Sequence, residues 1–270
     1  MTHAPQQSPK PPAPPYVAGH GLLTGRTVVV TAAAGAGIGA AVARRALEEG
    51  AAAVVLGDVH ERRLAEAGTA LGAEFGARRV ASVVCDVTRE DQVQALFEAA
   101  EPFGGVDVLV NNAGLGGTAS VLDMEDEQWA RVLDISLTGT LRCLRAAGRR
   151  MVARGRGGVV VNNTSVVGWR AQAGQAHYAA AKAGVMALTR CAAMDLAPHG
   201  IRVNAVSPSL AMHPHLAKVT TDAFLEELAA KEAFGRAGEP WEVANVVVFL
   251  ASAYSSYMTG EVVAVSSQHA

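Results

Sequence analysis

A chain of 270 residues with a formal charge of −2, half of it hydrophobic, has enough apolar material for one large α/β domain. No apolar run reaches the roughly 18 residues of a membrane span, and the near-neutral charge leaves no basic footprint for nucleic acid. Cys85, Cys143 and Cys191 stand far apart without CxxC spacing, which predicts reduced thiols and a cytoplasmic protein rather than a disulfide or zinc framework.

Residues 1–21 read as a proline-rich, disordered tail: the first twenty carry six of the eleven prolines and almost no apolar periodicity. From residue 22 the pattern is that of a single domain running to residue 270. Valine-rich strands are predicted at 26–31, 52–58, 80–86, 106–112, 158–165, 201–208 and 261–266. None alternates between apolar and polar, as expected for strands covered on both faces. Helical patterns fall between most of them, over 38–49, 91–100, 126–147, 175–196, 222–233 and 240–251. This alternation predicts a doubly wound parallel sheet with right-handed crossovers and helices on both faces. Ligands of such sheets bind beyond the carboxyl ends of the strands. The polar residues there are Thr31, Asp58, Asp86, Asn111, Asn112, Ser165 and Ser207.

The first strand and helix, "VVVTAAAGAGIGAAVARRALEEG", enclose a turn bearing Gly35, Gly37 and Gly39. Such a turn either admits a pyrophosphate to the helix amino terminus or merely lets the helix approach the sheet. Asp58 ends the second strand about twenty residues beyond the last glycine, where a carboxylate grips the hydroxyls of an adenosine ribose. It is also a residue that caps helices. Together the two features favour a dinucleotide.

In "HYAAAKAG", Tyr178 and Lys182 stand four apart on a predicted helix and share a face. An ammonium beside a phenol favours phenolate, so the pKa of Tyr178 is expected to fall toward the range useful for proton exchange. Ser165, in "NNTSVVG" at the end of the fifth strand, offers a hydroxyl to a substrate oxygen. With the glycine turn, Asp58 and "NNAG" (111–114) in the same order, the chain resembles the short-chain dehydrogenase/reductase family from about Leu23 to Ser266.

The resemblance implies a seven-stranded Rossmann-like sheet and a nicotinamide cofactor. It makes Tyr178 the acid/base, Ser165 the holder of the substrate oxygen and Lys182 a ribose ligand that tunes Tyr178. Thr31, Gly35, Gly37, Ile38 and Gly39 would form the phosphate loop, and Asp86 and Val87 would meet the adenine. Asn112, Ala113 and Gly114 would turn beside the cofactor, with Pro208 and Ala211 near the nicotinamide. Four departures stand out. The loop is one residue longer than the family's, with Ala32 where a glycine usually follows the threonine; Gly35 is expected to supply the missing backbone conformation. Ser136 stands where the family often has an asparagine in a proton relay, and is expected to hold a water. His213 replaces a threonine that holds the nicotinamide amide, and "SSQHA" replaces a terminal Asp-Gly-Gly.

Asp58 should repel a 2′-phosphate, so NAD(H) is expected, and with it alcohol oxidation; Arg62 and Arg63 leave NADP(H) open. The substrate pocket is expected at Trp169, Arg170 and His213, under a lid at about 209–234. Arg170 reads equally as a cation for a carboxylate or phosphate and as a surface ion pair. His213 and His215 lack a third partner, so no metal is expected. The apolar lid suits a bulky secondary alcohol or ketone, and the resemblance points to a bacterial subgroup acting on hydroxyacyl-CoA or steroid-ring-derived substrates. The alternatives are an NADPH-dependent 3-oxoacyl-(acyl carrier protein) reductase and, in another class, a catalytically idle dinucleotide sensor or scaffold. The helices after the fourth and fifth strands imply, by resemblance, a homotetramer or dimer.

Overall fold

The computed structural model describes residues 13–212 and 222–267. Seven parallel strands form its centre: β1 (Thr27–Thr31), β2 (Ala53–Asp58), β3 (Val80–Val84), β4 (Val108–Asn111), β5 (Gly158–Asn163), β6 (Ile201–Pro208) and β7 (Val262–Val265). Their order is β3-β2-β1-β4-β5-β6-β7. The chain runs outward from β1 to β3 and then crosses back to β4, so a crevice opens at the carboxyl ends of β1 and β4.

Eight α-helices flank the sheet among the described residues. They are α1 (Ile38–Glu48), α2 (Glu61–Phe75), α3 (Glu90–Glu98), α4 (Asp126–Leu133), α5 (Gly139–Arg154), α6 (Ala176–Leu196), α7 (Asp222–Lys231) and α8 (Pro240–Ala251). Valine runs make the central strands because both faces are covered. Val28 and Val30 join a core with Val42 and Ala46 of α1 and Val247 of α8. Val29, pointing the other way, joins Phe97 of α3 and Cys143 and Met151 of α5. Every residue of β1 and β2 is buried, whereas the edge strands β3 and β7 are half open. Among the described residues no helix is long and apolar enough to cross a membrane.

Two elements differ from the sequence expectation. The helix α2 was not among the helices predicted, because Leu64, Leu71 and Gly72 are all it buries and its apolar stripe is thin. The single helix expected at 126–147 is continuous but longer, reaching Arg154, and carries one π turn at Asp134–Thr138 between α4 and α5. Such turns concentrate at functional sites, and this one carries Ser136.

Residues 13–21 also depart from the disordered tail expected there, because they are seated on α1 and α8. Tyr16 meets Trp241 edge-on with centroids 5.3 Å apart, and its hydroxyl donates to Glu48. Arg45 donates to the carbonyls of Val17 and Ala18. Glu49, fully buried, accepts the N–H groups of His20 at 2.8 Å and Leu22 at 3.0 Å, and pairs with Arg45 at 2.7 Å. Burial opposes the Glu49 charge, but the two N–H donors and Arg45 outweigh it and hold the carboxyl below its usual range. Its contribution to stability is therefore full above the unfolded value near 4.5 and is lost as pH falls through the lower folded value. E49Q keeps an acceptor for both N–H groups but strips Arg45 of the nearer of its two carboxylates, leaving Glu48 at 3.7 Å. A loss of about 2 kcal/mol at pH 7 is expected in urea unfolding, with faster proteolysis before residue 22.

Candidate active site

The crevice is built first by the β1–α1 turn. Gly35 takes φ +89°, as expected from the sequence, but Ala32 itself also adopts a left-handed φ of +50°. The missing glycine is thus replaced at its own position as well as by Gly35. A Cβ on Gly39 would stand 2.5 Å from Asn112 Nδ2 and closer still to the Ala32 carbonyl, so only glycine lets α1 start here. Around Gly35 and Gly37 no atom lies within 4 Å of where a side chain would begin. The first turn of α1 carries no acidic residue and no side-chain cap. Its N–H groups, Ile38 among them, are left for an anion. These features fit the pyrophosphate of a dinucleotide.

Asp58, 7% exposed, closes the far side of the turn. Its Oδ2 accepts the Ala34 N–H at 3.0 Å and its Oδ1 accepts the His60 N–H at 2.9 Å. This carboxylate thus latches the lengthened loop. Burial pushes its pKa up, while the Ala34 N–H and Arg63 work in the other direction. Asp86 Oδ1 accepts from the backbone and hydroxyl of Thr88, and Val87 is buried beside it.

The middle of the site is a polar seam across β1, β4 and β5. Thr31 Oγ1 accepts the N–H groups of Asn112 and Ala113, each at 2.9 Å. Asn112 Nδ2 reaches the carbonyls of Thr31 and Ala32, and Asn163 Nδ2 donates to Asn112 Oδ1 at 2.9 Å. Gly114 fits between two groups: a Cβ there would lie 3.2 Å from Lys182 Nζ and 3.6 Å from Ser136 Oγ.

Tyr178 and Lys182 share a face of α6, and Ser165, at the start of the β5–α6 connection, stands close enough to the Tyr178 phenol to favour its ionised form. The ammonium stands over the phenol ring but gives its hydrogen bond elsewhere. Lys182 Nζ sits 5.5 Å from the centre of the Tyr178 ring and donates to the Asn163 carbonyl at 2.7 Å. The expected fall in the phenol's pKa is accordingly reversed: burial, only partly opposed by Ser165, pushes Tyr178 up to about 12. Burial likewise pulls Lys182, 2% exposed, down to about 8.

Ser136 is also placed differently from expectation. Its hydroxyl accepts the Leu115 N–H at 2.9 Å and donates to the Leu115 carbonyl at 3.1 Å, because the π turn aims it at that strand-end loop. Its donor is thus given to the backbone, and the oxygen keeps a second lone pair that a water can donate to. Pro208 and Ala211 line a cavity of about 190 Å³ at the ends of β6 and β7, with Arg236 and Glu242 paired in its wall. Trp169 is 48% exposed on the connection from β5, next to Arg170. His213, His215 and the middle of the expected lid lie outside the described residues, among which no group of three metal-ligating side chains occurs.

Two residues were missed from sequence. His177 is fully buried, and its Nδ1 accepts the Tyr178 N–H at 2.9 Å; only its adjacency to Tyr178 could have signalled it. Asn163 was passed over although "NN" occurs twice, at 111–112 and 162–163, at the ends of strands that pair in register.

A glycine-lined dinucleotide crevice leading to a half-buried phenol and hydroxyl and a buried amine defines an oxidoreductase that interconverts alcohols and ketones with a nicotinamide dinucleotide. The family model described as enoyl-(acyl carrier protein) reductase matches residues 32–267. The chain belongs to the short-chain dehydrogenase/reductase family. It is 61% identical over 258 residues to a (5R,7aS)-5-hydroxy-7a-methyl-1-oxo-2,3,5,6,7,7a-hexahydro-1H-indene-carboxyl-CoA reductase of Mycobacterium tuberculosis, covering 95% of this chain and 98% of that one. A cis-4-hydroxycyclohexanecarboxylate dehydrogenase of Sinomonas cyclohexanicum is 44% identical, with 89% and 94% of the two chains covered. A crystal structure of a short chain dehydrogenase from Mycobacterium smegmatis superposes with a TM-score of 0.84 at 56% identity, covering 96% of this chain and 99% of that one.

Proposed function

We propose that this protein interconverts a ring ketone and its secondary alcohol on a fused-ring carboxylic acid carried as a coenzyme A thioester, using NAD(H). For the reaction, the supporting observation is the Tyr178 phenol standing beside Ser165 and the buried Lys182. For the substrate, it is the printed activity of the M. tuberculosis relative, aligned over nearly all of both chains. Exposed apolar side chains on the loops after β4, β5 and β6 suit such a ring system: Val121, Leu122, Trp169 and Phe234.

The dinucleotide supplies or accepts the hydride. Ser165 donates a hydrogen bond to the substrate oxygen and holds it beside Tyr178. In the ketone-reducing direction the neutral phenol, favoured by burial, gives its proton to that oxygen; in the reverse direction phenolate takes it back. Lys182 holds positive charge near the phenol as it loses its proton. Asp58 accepts ribose hydroxyls and repels a 2′-phosphate, which underlies the NAD(H) preference. S165A should lower kcat about a hundredfold while dinucleotide binding, followed by NADH fluorescence, stays intact.

The test compares NADH and NADPH on a bicyclic keto-acyl-CoA, a straight-chain 3-oxoacyl thioester and cyclohexanone. Preference for NADH and the bicyclic thioester is expected. Preference for NADPH with the straight-chain thioester would replace this reading by a 3-oxoacyl reductase. The outer faces of α5 and α6 carry an apolar depression of about 470 Å³ lined by Leu141, Leu144, Val152 and Leu196. It is taken to pair with a second copy of the chain, which light scattering checks against a monomer mass of 27.8 kDa.

A further inference from the structure

Ala32 is the one non-glycine among the described residues with a left-handed φ. Crowding of its Cβ against the following carbonyl disfavours that conformation, which persists only where neighbouring groups over-determine it. The neighbouring group here is Asn112, whose Nδ2 grips the carbonyls of Thr31 at 3.2 Å and Ala32 at 3.1 Å. For that grip the amide must present its NH₂ to the loop, which turns Oδ1 toward β5. Asn163 Nδ2 meets it there at 2.9 Å. With the opposite orientation Asn112 would set its oxygen against two carbonyls, so those carbonyls fix the gripping orientation and Asn163 tethers the Oδ1 that it turns toward β5.

Nothing else in the site calls for an asparagine at this position. Lys182 uses only the backbone carbonyl of residue 163, which any residue provides. Asn163 Oδ1 is buried with no hydrogen-bond partner among the described residues, so the side chain's burial is justified by its NH₂ alone. We propose that Asn163 is a positioning residue which, acting through Asn112, holds the phosphate loop in the left-handed path that Ala32 by itself disfavours. It compensates for the absent glycine. The inference uses dinucleotide binding by this loop and neither the NAD(H) preference nor the assigned substrate.

The test measures two quantities in N163V: amide exchange of residues 32–37 in the ligand-free protein, and affinity for NADH and NADPH by fluorescence. Losing the donor and freeing Asn112 should speed exchange about tenfold and weaken whichever dinucleotide binds about tenfold. The kcat at saturating dinucleotide should stay within about twofold, because the carbonyl that holds Lys182 remains. In an A32G background, where glycine adopts the turn freely, N163V should cost about threefold or less. Three outcomes overturn the proposal: no change in N163V, an equal loss in both backgrounds, or a loss confined to kcat. Should valine prevent folding beside Val206, N163A supports the same comparison.

Discussion

Y178F is expected to lower kcat/KM by about three to four orders of magnitude while dinucleotide affinity changes by less than about threefold. The substitution removes one oxygen and keeps the ring on α6, so the adjacent Lys182 contact at 5.5 Å and the buried His177 below it are preserved. What is lost is the hydroxyl beside Ser165 that passes a proton to the substrate oxygen in the proposed reaction. The size of the effect rests on position: the phenol, pushed up to about 12, holds its proton at pH 7, and free water does not replace a donor fixed beside the substrate oxygen. Steady-state kinetics and an NADH titration on the same preparation check both halves. If every alcohol and ketone activity survived with binding intact, the protein would be a dinucleotide sensor and not an enzyme.

K182M should separate stability from activity. The lysine is 2% exposed and its pKa falls from 10.5 to about 8 because burial disfavours the ammonium. That fall corresponds to about 3 kcal/mol of strain on the folded state at neutral pH. Losing the bond to the Asn163 carbonyl returns about 1–2 kcal/mol of it. K182M is therefore expected to stabilise the ligand-free protein by about 1–2 kcal/mol at pH 7 while lowering kcat about a hundredfold or more. The sign with pH follows from linkage: below about 8 the lysine is charged in both states and the penalty is complete. As pH rises from about 8 to 10.5 the folded protein releases its proton first, and the advantage of K182M disappears. Paired thermal melts across this range, ligand-free, measure it; a K182M protein less stable than wild type at pH 7 would refute the argument.

Much of the site was legible because its signals are local. Tyr178 and Lys182 share a helix face by spacing alone, and Ser165, Asp58 and Asn112 announce themselves by standing at the ends of valine runs. Distances across elements were not legible. The sequence places an ammonium and a phenol on one face, yet cannot say that Lys182 reaches the Asn163 carbonyl first. The Ser136 hydroxyl is aimed by a π turn, a one-residue change in helix register that no propensity marks. Residues 13–21 read as a solvated tail because proline-rich segments bury little of themselves. What holds them is Glu49 and Arg45, buried under them at the end of α1.

By itself the sequence determined the strand–helix alternation and the identity of the polar groups at the strand ends; where the strand order reverses came from the structure. Periodicity and strand-end chemistry act over a few residues, and those are encoded directly. Only the tertiary structure decided which hydrogen bonds those groups make: Asp58 with Ala34, Ser136 with Leu115, Asn163 with Asn112. A buried donor takes whichever acceptor the packing of separate elements brings within about 3 Å. That proximity is a property of the assembled sheet and helices, not of any one stretch of chain.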